Sequence, residues 1–208
     1  PRLSIVILYK DIYMYIHTFG ESHSVYGWYK CNKVITHSLG PTLAYSFGRD
    51  KLDRCDIKNF GIKNNDSVVF CFGEIDCRCH IHKYITPDNT YEMIIDNVIN
   101  NYIDAIQINI ENCNIKLKNI GVYNVVPPVE KDFVQTWKGK QLLDAVKKWP
   151  FLGTDEERKK YVYYFNSCLK KRCLQNNWIF VDIYEYYADE NGFLNKSLSD
   201  GLVHIDNP

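Results

Sequence analysis

Phe19-Gly20-Glu21-Ser22-His23-Ser24 closes a run rich in Ile, Tyr and Phe that begins at Ile12. The change there from β-branched and aromatic residues to a small, polar turn reads as the end of a strand. A serine hydroxyl leaving a strand is a poor nucleophile until an imidazole takes its proton, and the imidazole works best when a carboxylate fixes its tautomer. Asp200 and His204, in Ser199-Asp200-Gly201-Leu202-Val203-His204, stand near the opposite end of the chain. A fold that joined the two ends would complete a Ser-His-Asp triad, with Ser22 as nucleophile, His204 as base and Asp200 as its orienting acid.

Outward from that turn, apolar runs alternate with helical patterns. Ile12–Phe19, Lys33–Ser38, Ser67–Gly73, Lys118–Val126 and Trp178–Tyr184 are strand-like. From Tyr91 to Ile110 the residues Ile95, Val98, Ile99, Tyr102, Ile103, Ile106 and Ile110 recur three or four apart, behind an Asn89/Glu92 pair spaced like a helix cap. A second helix opens at Thr154 with Glu157 three residues on, and its stripe runs through Tyr161, Tyr164, Phe165, Cys168 and Leu169. Parallel neighbours require crossovers, so this alternation predicts an α/β fold, a mainly parallel sheet sandwiched between helices. Ligands bind at the carboxyl ends of such strands, where Ser22 falls. Val126–Phe151, with Pro127-Pro128, Trp137, Trp149 and Pro150, is the least regular stretch and reads as a loop or short-helix insert.

The chain of 208 residues has no linker-like or like-charged run dividing it, and is read as one domain, 1–208. Twenty-five Lys and Arg balance 25 Asp and Glu with no basic stripe, which argues against nucleic acid or anionic lipid as partner and for a small or uncharged one. The early apolar run Ile5–Tyr9 is far shorter than the roughly 18 residues of a membrane helix. Eight cysteines at scattered, apolar-flanked positions read as buried free thiols in a reducing compartment, the cytoplasm, with a disulfide framework as the alternative. A start at Pro1 and a stop four residues after His204 read as a domain cut from a longer polypeptide with covalently linked neighbours.

Taken together, the motif blocks resemble the SGNH hydrolase superfamily, the GDSL-like esterases, along nearly the whole chain. Gly20-Glu21-Ser22-His23-Ser24 resembles the first block, which carries the nucleophile. Ser38-Leu39-Gly40 is placed like the second, whose glycine gives an oxyanion-hole amide; Gly73-Glu74-Ile75-Asp76 occupies the third; Ser199 to His204 resembles the last. The order argues against an ordinary α/β-hydrolase, where the serine falls mid-chain inside Gly-x-Ser-x-Gly; position +2 here is Ser24. The resemblance implies a three-layer, flavodoxin-like α/β/α sandwich, serine-based acyl transfer without cofactor or metal, and oxyanion contacts from the amides of Ser22 and Gly40.

Two departures stand out. Ile75 replaces the asparagine whose amide usually completes the oxyanion hole, a donor worth about 2.7–4 kcal/mol in the transition state. Arg78, at the same strand end, is the candidate substitute, with Glu74 near the pocket and Asp76 tying down the loop. The family usually has three residues from acid to base, whereas Asp200 to His204 is four, a residue the loop must bulge out; Asp206 is a weaker stand-in for the acid. The style of Gly73-Glu74-Ile75-Asp76-Cys77-Arg78, Gly153-Thr154-Asp155-Glu156-Glu157-Arg158 and Val203-His204-Ile205 resembles a branch found with glycan-building enzymes. The expectation is a serine esterase that removes an O-acyl group, an O-acetyl above all, from a carbohydrate. A sugar O-acyltransferase would use the same triad, and a non-catalytic glycan-binding or scaffold domain would account for Ile75.

Other residues admit competing readings. Cys77-Arg78-Cys79-His80-Ile81-His82 packs four soft ligands into six residues, but one-residue spacings crowd a zinc tetrahedron, and packing beside the strand end is the plainer reading. His23 and His17 are alternative bases, with His17 and His37 read as sheet residues. Tyr26, Trp28, Tyr29, Trp137 and Trp149 could stack on sugar rings or fill the core. Glu74 and Asp76 lie too close together for the two carboxylates of a glycosidase.

Overall fold

The computed structural model describes residues 14–28, 31–132 and 148–206. The run Ile5–Tyr9, Tyr29, Trp137 and much of the irregular insert lie outside the described residues.

Five short strands, β1 (Ile16–Gly20), β2 (Val34–Ser38), β3 (Ser67–Cys71), β4 (Asn119–Tyr123) and β5 (Ile179–Val181), form one sheet in the order β2-β1-β3-β4-β5. Every pairing is parallel, with Gly20 opposite both Ser38 and Cys71. Strands buried on two faces need apolar residues at nearly every position, and Val68, Val69, Phe70 and Cys71 of β3 are all buried. The strands are shorter than the apolar runs that encode them. Those runs continue past the last ladder bond into the loops that build the site, as Phe72 and Val125 do, both still buried.

The helices α1 (Ala44–Asp50), α2 (Tyr91–Cys113) and α3 (Asp155–Gln175) pack side by side over one sheet face. Ile95, Val98, Ile99, Tyr102, Ile103 and Ile106 of α2 meet Phe47 of α1, Tyr161, Phe165 and Leu169 of α3, and Phe19, Phe70 and Val122 of the sheet in one cluster. Each such side chain contributes about 1.5–3 kcal/mol by leaving water. Thr154 and Glu157 form a reciprocal capping box at the start of α3. In α2 the cap falls one residue later than the spacing predicted: Thr90, not Asn89, accepts from the Met93 amide, and the helix runs three residues past Ile110 to an Asn114 in the left-handed conformation. Asn89 instead closes a tight antiparallel bridge with Thr86.

The opposite face is covered, among the described residues, by Trp28, Val126, Val129, Phe151, Leu194 and Ile205 around Val69, Cys71 and Tyr123. The connection from β1 to β2 is too short for a full crossover helix. Among its described residues it forms a 3-10 turn, Ser22–Ser24, followed by a further turn. A short helix α4 (Tyr184–Tyr187) follows β5. Among the described residues no helix is long and apolar enough to cross a membrane. All eight cysteines are free thiols, with Cys31 the exposed one.

Candidate active site

β1 can approach β3 closely at its carboxyl end only because residue 20 is glycine: a Cβ there would sit 1.9 Å from the Cys71 carbonyl oxygen. The chain then turns through Glu21 into the Ser22–Ser24 turn. Ser24 is buried and anchors that turn, donating to the Glu21 carbonyl at 2.8 Å and within 3.1 Å of the His37 carbonyl on β2, while Thr18 donates to the Ser24 carbonyl at 2.6 Å. The result is a half-buried Ser22 held at the end of the central strands.

His204 Nε2 lies 2.8 Å from Ser22 Oγ, across 182 residues of sequence, and His204 Nδ1 lies 2.7 Å from Asp200 Oδ2. The fold thus brings together the three residues assigned to hydroxyl, imidazole and carboxylate. The other Asp200 oxygen accepts from the Leu202 amide at 2.8 Å and the His204 amide at 3.3 Å. Burial raises the Asp200 pKa, but the bonds and charge of His204 outweigh it and hold the carboxyl below its usual range. The four-residue spacing from acid to base is accommodated by Gly201, at φ +83°, between a Ser199–Ile205 bridge and an Asp200 amide that donates to the His204 carbonyl. Asp206 donates its amide to the Leu198 carbonyl on the outer side of that bridge. Tyr26, 41% exposed, stacks on the His204 ring at 4.1 Å and 8°.

Gly40 lies two residues beyond Ser38, the register partner of Gly20, and Ser22 lies two residues beyond Gly20. Both residues therefore stand two positions past the last paired residues of neighbouring strands. Gly40 adopts φ +68°, with open space where a side chain would stand, and its amide makes only a long 3.3 Å bond to Ser38 Oγ.

The loop after β3 is differently used. Asp76 is fully buried and accepts from the Ala44 and Tyr45 amides at 2.7 and 3.1 Å, capping α1. Burial pushes its pKa up to about 7 against those two donors. Arg78 donates from Nε and Nη2 to the two Glu74 oxygens at 2.6 and 3.0 Å, and from Nη1 to the Trp149 carbonyl at 2.5 Å. All three Arg78 nitrogens are thus engaged, and the side chain is 11% exposed. Glu74 is correspondingly bound up in this pair. Ile75 is buried, 4% exposed.

The four soft ligands of Cys77 to His82 diverge. The Cys79 thiol donates to the Ile75 carbonyl, the His80 ring packs between Tyr45 and Tyr84, and His82 bonds the Tyr161 hydroxyl. Among the described residues no group of three or more His, Cys, Asp or Glu is arranged to hold a metal ion. His17 Nδ1 lies 2.9 Å from His37 Nε2, and His17 Nε2 3.4 Å from Asp66, on the helix-covered face away from Ser22. Burial, aided by His17, pulls the His37 pKa down to about 4. Trp28 joins the second core and donates from Nε1 to the His23 carbonyl.

Two neighbours of Ser22 form a pair that motif order does not foretell: His23 reads from sequence only as an alternative base, and Glu21 has no role there. Glu21 Oε2 lies 2.8 Å from Ser22 Oγ, and His23 turns inward to the same carboxylate. In a strand, residue 23 would point away from residue 22; the 3-10 turn cancels that alternation.

No protein-family model matches the chain, and no curated protein matches it in sequence. Solved structures do match. One, from Bacteroides fragilis and assigned as an acylhydrolase, aligns at TM-score 0.57 and 18% identity over 92% of this chain and 78% of its own. A GDSL-like lipase from Bacteroides thetaiotaomicron aligns at TM-score 0.56 and 18% identity, over 94% and 81%. A catalytic mutant of Axe2, an acetylxylan esterase from Geobacillus stearothermophilus, aligns at TM-score 0.54 and 10% identity, over 93% and 87%. At these identities the likeness defines the fold: a parallel α/β domain of the kind shared by GDSL-like lipase and acetylxylan esterase structures. That is the fold implied by the four motif blocks.

Proposed function

We propose that this chain is a carboxylic-ester hydrolase that removes an O-acetyl or similar small O-acyl group from a carbohydrate. The observation that carries the reading is the continuous hydrogen-bonded chain Ser22–His204–Asp200. In the mechanism it supports, His204 Nε2 takes the Ser22 proton as Oγ attacks the ester carbonyl, and Asp200 stabilises the imidazolium that forms. The amides of Ser22 and Gly40 receive the developing oxyanion. His204 then gives its proton to the departing sugar hydroxyl, leaving an acyl-serine. Water attacks that ester with His204 as base, releasing the carboxylic acid and restoring the Ser22 hydroxyl.

Support for a sugar alcohol comes from the acetylxylan esterase among the structural neighbours and from Tyr26, whose half-open ring beside His204 suits the apolar face of a pyranose. Eight free thiols support a reducing compartment such as the cytoplasm. The shared sheet supports reading 1–208 as one domain. Ile75 in place of a donor favours a second reading, a glycan-binding domain that keeps the fold without turnover.

A serine-directed fluorophosphonate separates the two. Labelling of the folded protein that Ser22→Ala abolishes is the expected result; no labelling of folded protein would leave the binding module. Acetate release from acetylated xylo-oligosaccharide, measured with and without free sugar acceptor, then distinguishes hydrolysis from transfer to a second hydroxyl.

A further inference from the structure

Glu21 and His23 flank Ser22, and the acyl transfer just described uses neither. Both are buried, 1% and 2% exposed, where an unpaired charge or imidazole would be costly. His23 Nδ1 lies 2.9 and 3.0 Å from the two Glu21 oxygens, and His23 Nε2 lies 3.1 Å from the Val203 carbonyl oxygen. A carbonyl can only accept, and the Glu21 carboxylate also accepts the Ser22 hydroxyl and, at 3.2 Å, the His23 amide. Each ring nitrogen therefore has to donate, and only the imidazolium carries two N–H groups.

The surroundings agree with that count. Burial alone would lower the His23 pKa, but the Glu21 carboxylate outweighs it, with Glu74 on the β3 loop acting in the same direction, and raises it to about 9. Burial would raise Glu21, yet His23 and the bonds it receives hold that carboxyl below its usual range. The other titratable ring facing His23 is His204, 5.1 Å away between centroids. Glu74 is itself paired with Arg78.

Val203 immediately precedes His204, so the Nε2 bond ties the C-terminal loop to the N-terminal turn across 180 residues. We propose that the Glu21–His23 ion pair is a positioning clamp: Glu21 keeps His23 doubly protonated, and His23 holds Val203 so that His204 Nε2 stays within reach of the Ser22 hydroxyl. This rests on Ser22, Asp200 and His204 forming the working triad. The pair has a second consequence. The Ser22 hydroxyl has one hydrogen and two acceptors at 2.8 Å, Glu21 Oε2 and His204 Nε2. By drawing on the Glu21 charge, His23 weakens the unproductive bond and favours donation to His204.

The test compares Glu21→Gln and His23→Asn with wild type and Ser22→Ala. In protein labelled with ¹⁵N-histidine, His23 is expected to show two protonated nitrogens up to about pH 9 in wild type and in Ser22→Ala, and to lose one at neutral pH in Glu21→Gln. With p-nitrophenyl acetate, His23→Asn is expected to lower kcat tenfold or more while KM changes less than threefold. The fall in wild-type kcat/KM near pH 9 should disappear in His23→Asn. A neutral His23 at pH 7, or a folded His23→Asn with wild-type kcat and an unchanged alkaline limb, overturns the clamp. Absence of phosphonate labelling at Ser22 overturns the esterase reading instead, and the NMR result on wild type separates that failure from the first.

Discussion

Two loops leave adjacent parallel strands at the same edge of the sheet, and each holds a carboxylate paired with a cation. The loop after β1 pairs Glu21 with His23 around a half-buried serine, whereas the loop after β3 pairs Glu74 with Arg78 and uses Asp76 to cap α1. In the first loop the paired side chains reach Ser22 and the segment carrying His204. In the second they point to the scaffold: a helix N-terminus and the Trp149 carbonyl. The difference teaches that two similar ion pairs can serve different ends: one lies around the proposed nucleophile, and the other braces the scaffold beside a buried Ile75.

The widest separation between the loops should come from activity. Ser22→Ala is expected to lower ester turnover by about 10⁴-fold or more while leaving the melting temperature nearly unchanged; an active Ser22→Ala protein would break the comparison. The two hinge glycines come next. In Gly20→Ala the new Cβ meets backbone, the Cys71 carbonyl at 1.9 Å, and the strands themselves must part. Gly73→Ala is strained by φ +127°, but its Cβ meets side chains, Phe165 and Val125 at 2.7 Å, which can shift. Chemical denaturation should therefore find Gly20→Ala more destabilised, by about 3 kcal/mol or more, and Gly73→Ala less.

Asp76→Asn sharpens the contrast from the other side. The amide can accept from only one of the two α1 N–H groups that the carboxylate satisfies, and a loss of about 1–3 kcal/mol in stability is expected. Ser22 labelling by a phosphonate should survive in the folded fraction.

The smallest effect is pH dependence of the melting temperature. His37 takes up a proton near pH 6.5 when unfolded but only near pH 4 in the fold, so its contribution is intact above pH 6.5 and is lost as pH falls toward 4. His23 behaves oppositely: its contribution is fully present below pH 6.5 and is lost as pH rises through about 9. Melting followed from pH 4 to 10 should decline at both ends, and Glu21→Gln should flatten only the alkaline side.

Much of this architecture was legible because it rests on local signals. Alternating apolar runs marked all five strands, and Thr154 with Glu157 marked a cap that forms as a reciprocal pair of bonds. At α2 the same signal slipped by one residue, since Asn89 and Thr90 both cap well and only the Thr86–Asn89 bridge decides between them. Ser22, Asp200 and His204 could be named from motif order, which needs no knowledge of contacts. The Arg78–Glu74 pair was not legible, because charge at a strand end does not reveal a carboxylate partner one helical turn back. The Glu21–His23 pairing was not legible, and His23 reads from sequence only as an alternative base, because the pairing depends on a three-residue turn that reverses the side-chain direction expected of an extended chain.

The distance of 182 residues between the hydroxyl and its imidazole has a consequence for how the protein is made. Ribosomes add about 5–20 residues per second, so His204 is appended roughly 10–40 s after Ser22. Throughout that interval the nascent polypeptide carries Ser22 without the imidazole that lies beside it in the fold. A product that stops short of residue 204, however well its sheet has formed, would lack the base proposed for Ser22.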